Sequence, residues 1–391
     1  MYLFWRALGL GALCVCASLA GLARADVPPA DAPLATAHRQ FGLELIVRPV
    51  NNFKTRDDIV QFFELAKRAE VAVVHLNVKQ DEDDERPSGH VYYASAIAPV
   101  AAGYERFDVL EAAIAEAHQR GIKVYAWVPQ FHDQAAVVAH PHWQMMASVH
   151  GQGLFYQGRD RVEYFINPIH PGVQAYQLSL LREIVRNYAV DGIDLDWMRF
   201  DDLNMDVGAY TRELARKEIG IDPMTLDFSV ASQALERWNA WRSEKMGLYT
   251  RQVRRAVNAI RPGVRLAAFV LPPEFTEVGQ DVARFSQDLD EVLPMAYYND
   301  WEFPPAWVAS GLMPDVAKKI VGNAVIKPTL DGTGSVADNV AILKAIRKSH
   351  PKVDSILWFS AVYWQPDALR RIMNIHRAEA NSHGHGREAS P

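Results

Sequence analysis

The sequence predicts a single-domain (β/α)8 TIM barrel, and three observations carry that reading. Short apolar runs alternate with amphipathic segments eight times over roughly 340 residues, where a barrel of this kind needs about 250. Polar and aromatic residues gather at the C-terminal ends of the apolar runs, the face on which such barrels carry their sites. The Gly-rich phosphate loop that marks the competing doubly wound open sheet is missing.

Each element has a local reason. Leu43 to Val50 reads as the first strand, ending in Arg48, Asn51 and Asn52. Thr55 is a capping residue for a helix through Glu70, whose apolar positions Ile59, Phe62 and Phe63 share one face. Val71 to Val78 is the second strand, with Asn77 and Lys79 at its exit, and a polar loop follows from Asp81 to Phe107. Asp108 caps the next helix, Val109 to Gln119, and Gly121 stops it. Ile122 to Val128 is the third strand, with Trp127 and Gln130 at its end. A long loop, His132 to Pro171, leads to a helix from Val173 to Tyr188.

The fourth strand, Val190 to Asp196, is the most informative stretch. A parallel strand buried on both faces should be almost continuously apolar, yet Asp191, Asp194 and Asp196 interrupt this one. An unpaired buried carboxylate costs several kcal/mol, so each must be paired, exposed or used in chemistry. Asp194 and Asp196 lie two apart and therefore project to the same side of the strand. Beyond them runs a helical region from Tyr210 to Ile260, broken around Gly220 to Pro223. Val264 to Leu271, Val292 to Tyr298, Ala324 to Leu330 and Ser355 to Tyr363 complete the strands, with exits at Glu274, Asp300-Trp301, Asp331 and Trp364.

Met1 to Ala25 reads as an export signal: Arg6, an apolar core from Ala7 to Leu22, and an Ala23-Arg24-Ala25 cleavage site. Residues 26–40 read as a Pro- and Ala-rich leader, 41–377 as the barrel and 378–391 as a disordered tail. The protein is thus expected to be exported, to the periplasm or beyond, with no integral membrane segment left after cleavage. Its only cysteines, Cys14 and Cys16, fall inside the signal, which excludes disulfides and thiolate chemistry from the mature chain. The formal charge of −6 becomes −8 once Arg6 and Arg24 are lost, and that mild acidity argues against a nucleic-acid partner. His140, His142, His383 and His385 lack a coherent metal-ligand spacing, so neither metal nor cofactor is expected.

The strand ends combine carboxylates, amides, arginine and aromatics: Arg48, Asn77, Trp127, Asp194, Asp196, Arg199, Glu274, Tyr297, Asp300, Trp301, Asp331 and Trp364. A sugar has apolar faces and hydroxyl edges and calls for this mixture, whereas a phosphate ligand calls for glycines and more cations. The expected partner is therefore a carbohydrate.

Several segments resemble one family. Gly121 to Trp127, His140-Pro141-His142-Trp143, Ile166-Asn167-Pro168, Tyr188 to Asp196 and Pro294-Met295-Ala296-Tyr297 look like the corresponding strands and loops of the glycosyl-hydrolase-like family 10 barrels. The resemblance runs from about Phe41 to Leu369 and is strongest in the middle third. It implies a secreted or periplasmic glycosidase-type barrel, with the family's shared aspartate at the end of the fourth strand falling on Asp196. The family's usual second Asp and aromatic-Pro pair is replaced here by Trp197-Met198-Arg199-Phe200-Asp201. Asp191, Asp194, Asp196 and Met198 also look like the Asp-x-x-Asp-x-Asp-x-Glu strand of chitinase-type hydrolases. There the final Glu is the acid, and a thioether in its place cannot donate a proton.

Glycosidic cleavage usually takes one protonated and one ionised carboxyl. The sequence points to Asp196 as the ionised partner and Glu274 as the acid, provided Pro272, Pro273 and Phe275 desolvate it. Asp331 is the third catalytic candidate, and a turn aspartate is the competing reading for it. A first-turn helix acid competes for Glu274, and a structural partner of Arg199 for Asp194. Arg48, Asn77, Trp127, Asp194, Arg199, Tyr297, Asp300, Trp301 and Trp364 are the candidate substrate contacts. The leading function is a glycoside hydrolase acting on a polysaccharide or oligosaccharide. The alternatives are a non-catalytic carbohydrate-binding barrel, suggested by Met198, and an envelope scaffold.

Overall fold

A computed structural model describes residues 40–81, 87–155, 164–275, 277–359 and 364–381. Eight parallel strands close into a barrel: β1 (Gly42–Val47), β2 (Val71–Asn77), β3 (Lys123–Pro129), β4 (Gly192–Asp196), β5 (Arg265–Val270), β6 (Glu291–Ala296), β7 (Thr329–Asp331) and β8 (Ser355–Phe359). Each pairs with its sequence neighbours, and β8 pairs back onto β1 to close the ring. The expected (β/α)8 TIM barrel is the observed one.

The helices lie outside: α1 (Arg56–Arg68), α2 (Val109–Gln119), α3 (Pro171–Asn187), α4 (Ala209–Ile219), α5 (Gln233–Ile260), α6 (Met313–Lys319), α7 (Val336–Ser349) and α8 (Pro366–Asn381). Their starts follow the predicted chemistry. Thr55 Oγ1 accepts from Asp58 N at 3.2 Å while Asp58 Oδ2 accepts from Thr55 N at 2.7 Å, a complete capping box. Asp108 Oδ1 accepts from Glu111 N at 2.9 Å at the start of α2. On β4, Gly192 is required by its neighbour, since a Cβ there would lie 2.6 Å from the Tyr125 ring.

Three expectations need correction. The seventh strand splits into Val325–Ile326 and β7, because Pro328 has no N–H to give a ladder. The loop from His132 to Pro171 carries an antiparallel hairpin, Met146–Val149 with Gln152–Phe155. The tail boundary at 378 falls inside α8, which continues to Asn381. The signal, nearly all of the leader and the tail histidines lie outside the described residues. Among the described residues no helix is long and apolar enough to cross a membrane.

The barrel interior is divided. The layer nearer the strands' C-terminal ends is apolar: Ile46, Trp127, Ala267, Phe269, Leu293 and Leu357 pack together. The layer beneath it holds a ladder of charges. His75 Nδ1 lies 2.7 Å from Asp194 Oδ2, and His75 Nε2 lies 2.9 Å from Glu44 Oε2. Glu44 Oε1 accepts from Lys327 Nζ at 2.9 Å, and Lys327 also pairs with Glu291 at 2.9 Å. Tyr125 and Arg265 both donate to Glu291 at 3.1 Å. Burial opposes a charge on His75, but the carboxylates on both of its nitrogens outweigh burial and push it up to about 9. Glu44 meets the same opposition and is held down to about 2 by His75 and Lys327.

Above the barrel, Arg242 of α5 is fully buried and clamps two loops. It donates to the carbonyls of Asp202 (2.8 Å), Met205 (2.6 Å) and Glu277 (2.7 Å), which lie after β4 and β5. Its guanidinium also sits 4.8 Å from the Phe200 ring. Arg242→Met is expected to destabilise the protein by about 3 kcal/mol or more, because each stranded buried acceptor costs about 1–3 kcal/mol. A urea unfolding curve with an unmoved midpoint would refute that role.

Candidate active site

The site is built on the end of β4. Asp196 ends the strand half-buried, and both of its oxygens are held. Oδ1 accepts from its neighbour's backbone, Trp197 N, at 2.7 Å, and Oδ2 accepts from Trp127 Nε1 at 2.9 Å. Trp197 adopts φ 51°, the left-handed region that a bulky residue enters only when its surroundings compel it. The turn ends the strand and seats the indole among His132 (4.4 Å between ring centroids), Phe165 (5.7 Å) and the Arg199 guanidinium (4.1 Å).

A second carboxylate stands beside the first. Asp81, fully buried past the end of β2, takes Arg48 Nη1 at 3.3 Å and Trp197 Nε1 at 3.4 Å. Lys79 fixes the approach to it by pairing with Asp133 (2.8 Å) and donating to the Pro129 carbonyl (2.8 Å) on the neighbouring strand end. Burial, and then the negative charge of Asp81, push Asp196 up to about 6, against the two hydrogen bonds it accepts. An aspartic acid that keeps its proton up to about pH 6 at the end of a barrel strand is equipped to donate it below that pH.

The candidates fall into three groups. Arg48, Tyr297, Asp300 and Trp301 surround the mouth. Arg48 lies 4.8 Å over Trp127 and 5.8 Å from the Phe359 ring, and Tyr297 packs between Phe359 (5.2 Å) and Trp301 (5.3 Å). Asp300 is exposed. Asn77 is buried at the end of β2, and its amide has no hydrogen-bond partner among the described residues.

Trp127, Arg199 and Asp331 are present but employed. Trp127 is 3% exposed and offers no open face; it orients Asp196 instead. Arg199 pairs with Asp201 at 2.6 Å. Asp331 takes Thr333 N (2.8 Å) and Thr333 Oγ1 (2.6 Å), the turn arrangement.

Asp194, Trp364 and Glu274 depart from their expected roles. Asp194 is sealed one layer below Asp196, and its partner is His75 rather than Arg199. Trp364 is buried, donating its indole N–H to the Ile46 carbonyl at 2.6 Å, so it anchors the barrel seam and stacks on nothing external. Glu274 is exposed and is not desolvated by Pro272, Pro273 and Phe275; its Oε1 accepts from Trp307 Nε1 at 2.9 Å.

Sequence reasoning missed Asp81, Trp197 and Phe359. Asp81 opens the acidic run Asp81 to Glu85, which reads as a solvated loop. Trp197 directly follows Asp196, and only its φ reveals that it turns back over the site. Met198, where a chitinase-type chain has its acid, is fully buried in the core and is closed to substrate. Among the described residues no three His, Cys, Asp or Glu side chains come together as metal ligands.

Fold and mouth together define a glycoside-hydrolase-type barrel. The sequence matches the glycosyl hydrolase-like 10 family over residues 54–327, and the chain belongs to that family. The glycoside hydrolase domain of PgaB (BpsB) from Bordetella bronchiseptica superposes with a TM-score of 0.68 at 15% identity, covering 86% of this chain and 99% of that domain. An α-L-fucosidase isoenzyme 2 from Paenibacillus thiaminolyticus gives 0.60 at 14% identity, over 89% of this chain and 50% of that one. At such identities the likeness is one of fold. An S-layer-related protein of Niallia circulans is 24% identical over 239 residues, 54% of this chain but 15% of that protein, so the chain spans a small part of this relative.

Proposed function

We propose that the protein is an exported glycoside hydrolase that cleaves a polysaccharide or oligosaccharide, with Asp196 as the proton donor. The observation that carries the proposal is the raised Asp196 carboxyl, fixed at both oxygens in the barrel mouth beside an Arg48-paired Asp81. This reverses the role expected from the sequence, where Asp196 was the ionised partner. Asp196 gives its proton to the glycosidic oxygen as the bond to the anomeric carbon breaks. Asp81, paired with Arg48, contributes negative potential as positive charge develops on the sugar. Water then adds to the anomeric carbon, and the proton it sheds restores the carboxyl pair. Export rests on the N-terminal signal pattern and accords with the S-layer-related relative.

The competing reading is a non-catalytic carbohydrate-binding barrel, favoured by the burial of Met198 and the exposure of Glu274. Reducing-end release separates the two. The native protein, incubated with a panel of bacterial and plant polysaccharides, should release reducing ends from at least one. Glycan retention in affinity electrophoresis with no release from any member would establish the binder instead.

A further inference from the structure

The mouth continues into a line of aromatic rings that the cleavage chemistry does not use. It starts at Phe359, the last residue of β8, which packs on Tyr297 at 5.2 Å. Tyr297 meets Trp301 at 5.3 Å, and Trp301 meets Phe275 at 5.3 Å. All four rings are half-buried, with part of each surface left to solvent. Trp301 is placed by the turn after β6, where its N–H donates to the Tyr297 carbonyl at 3.1 Å. Behind Phe275, Phe303 at 6.4 Å and Trp307, stacked on Phe303 at 4.3 Å, form a buttress.

Three carboxylates neighbour these residues along the chain: Asp300 and Glu302 flank Trp301, and Glu274 precedes Phe275. Asp300, Glu302 and Glu274 are exposed, and Glu274 is held in place by Trp307 Nε1 at 2.9 Å. The inner end is continuous with the proposed chemistry: Arg48 lies against Phe359 and Trp127, and Trp127 holds Asp196. Rings of this kind bury large apolar faces at low entropic cost, and carboxylates beside them accept hydrogen bonds from hydroxyls. A membrane surface, which is negatively charged, is disfavoured by the same three acids.

We propose that Phe359, Tyr297, Trp301 and Phe275, neighboured along the chain by Asp300, Glu302 and Glu274, form a track that binds successive sugar units of a linear glycan running from the barrel centre to the rim. This deepens the hydrolase reading and rests on it for the identity of the ligand. The ring-to-ring step is comparable to the length of one pyranose unit along a chain. The track therefore makes the protein a reader of polymers, taking several units on one side of the cleaved bond. It also gives Glu274 a place at the far end of a glycan site instead of at its reacting centre.

The test uses the full chain with cello-oligosaccharides and chito-oligosaccharides of two to six units, binding measured by titration calorimetry on Asp196→Asn to prevent cleavage. Affinity should rise with length in at least one series. The double substitution Trp301→Ala, Phe275→Ala should weaken the six-unit ligand by roughly tenfold, the loss of about 1.4 kcal/mol. Trp301→Phe, which keeps a ring, should recover most of it, separating stacking from a folding defect. Equal affinity for two and six units, no binding in either series, or an unmoved affinity in the double variant overturns the track. Binding to phosphatidylcholine vesicles in place of glycans does so too. Length-dependent binding without cleavage by the native protein would keep the track and remove the hydrolase reading. Cleavage with length-independent binding would do the reverse.

Discussion

Replacing Asp196 by Asn should lower turnover by about a hundred- to ten-thousand-fold, the usual worth of a positioned proton donor. Asn is nearly isosteric, so the acceptor for Trp127 Nε1 survives and the fold should too. The native protein should show a matching pH dependence. With the carboxyl pushed up to about 6, the proton needed for the leaving oxygen is present below that pH and lost above it. Activity should therefore fall on the alkaline side with a midpoint near 6. Asp81→Asn removes the negative charge that, after burial, does most to raise Asp196. The alkaline midpoint should then move to lower pH, because an isolated Asp196 gives up its proton more readily. A midpoint that stays put in Asp81→Asn, or full turnover in Asp196→Asn, would reject these roles.

Replacing His75 by Gln should be the most damaging substitution for stability. The imidazolium lies between Glu44 and Asp194 with no exposure, so its loss leaves Asp194 without its buried cation and Glu44 with Lys327 alone. Breaking a buried pair by removing one partner costs about 3–5 kcal/mol. The pH dependence has a defined sign. His75 is raised to about 9, so its contribution is complete below an ordinary imidazole value of about 6.5 and fades as pH climbs towards 9. Glu44 is lowered to about 2, so its contribution is complete above about 4.5 and fades as pH falls from there. Burial pushes the Asp194 carboxyl upward against the pull of His75, and this trims the gain above the ordinary aspartate range. Stability, read as the urea midpoint, should gain from Glu44 as pH rises from about 2 towards 4.5 and lose from His75 as pH rises from 6.5 towards about 9. The decline from 6.5 to 9 should vanish in His75→Gln, and an unchanged decline would show that another group causes it.

Much of the fold was legible because its signals are local. Thr55 and Asp108 announce helix starts within three residues of the groups they bond, and alternating apolar runs announce the strands. What sequence could not show was anything settled by a partner far along the chain. His75 and Asp194 are 119 residues apart, and Glu44 and Lys327 are 283 apart, so the ladder is invisible until the barrel closes. The same distance misled the reading of Asp194, whose nearby cation, Arg199, was the wrong partner. Glu274 followed a correct rule about desolvation, but the proline loop leaves it facing solvent. Trp364 sat at a strand exit like the true mouth residues, and only its bond to the Ile46 carbonyl shows that it turns into the seam.

That seam bears on how the polypeptide is made. β1 leaves the ribosome before every other strand of the barrel, and one of its two neighbours, β8, leaves after all of them. Until Ser355–Phe359 arrives, Gly42–Val47 exposes a row of unclaimed amides and carbonyls, the kind of open edge that recruits stray strands. Trp364 donates its N–H to Asn52 Oδ1 at 2.9 Å and its indole N–H to the Ile46 carbonyl, locking the closure across 312 residues of sequence. Truncation before Trp358 should therefore yield an aggregating product in place of a smaller folded one, read as loss of protein from the supernatant after centrifugation.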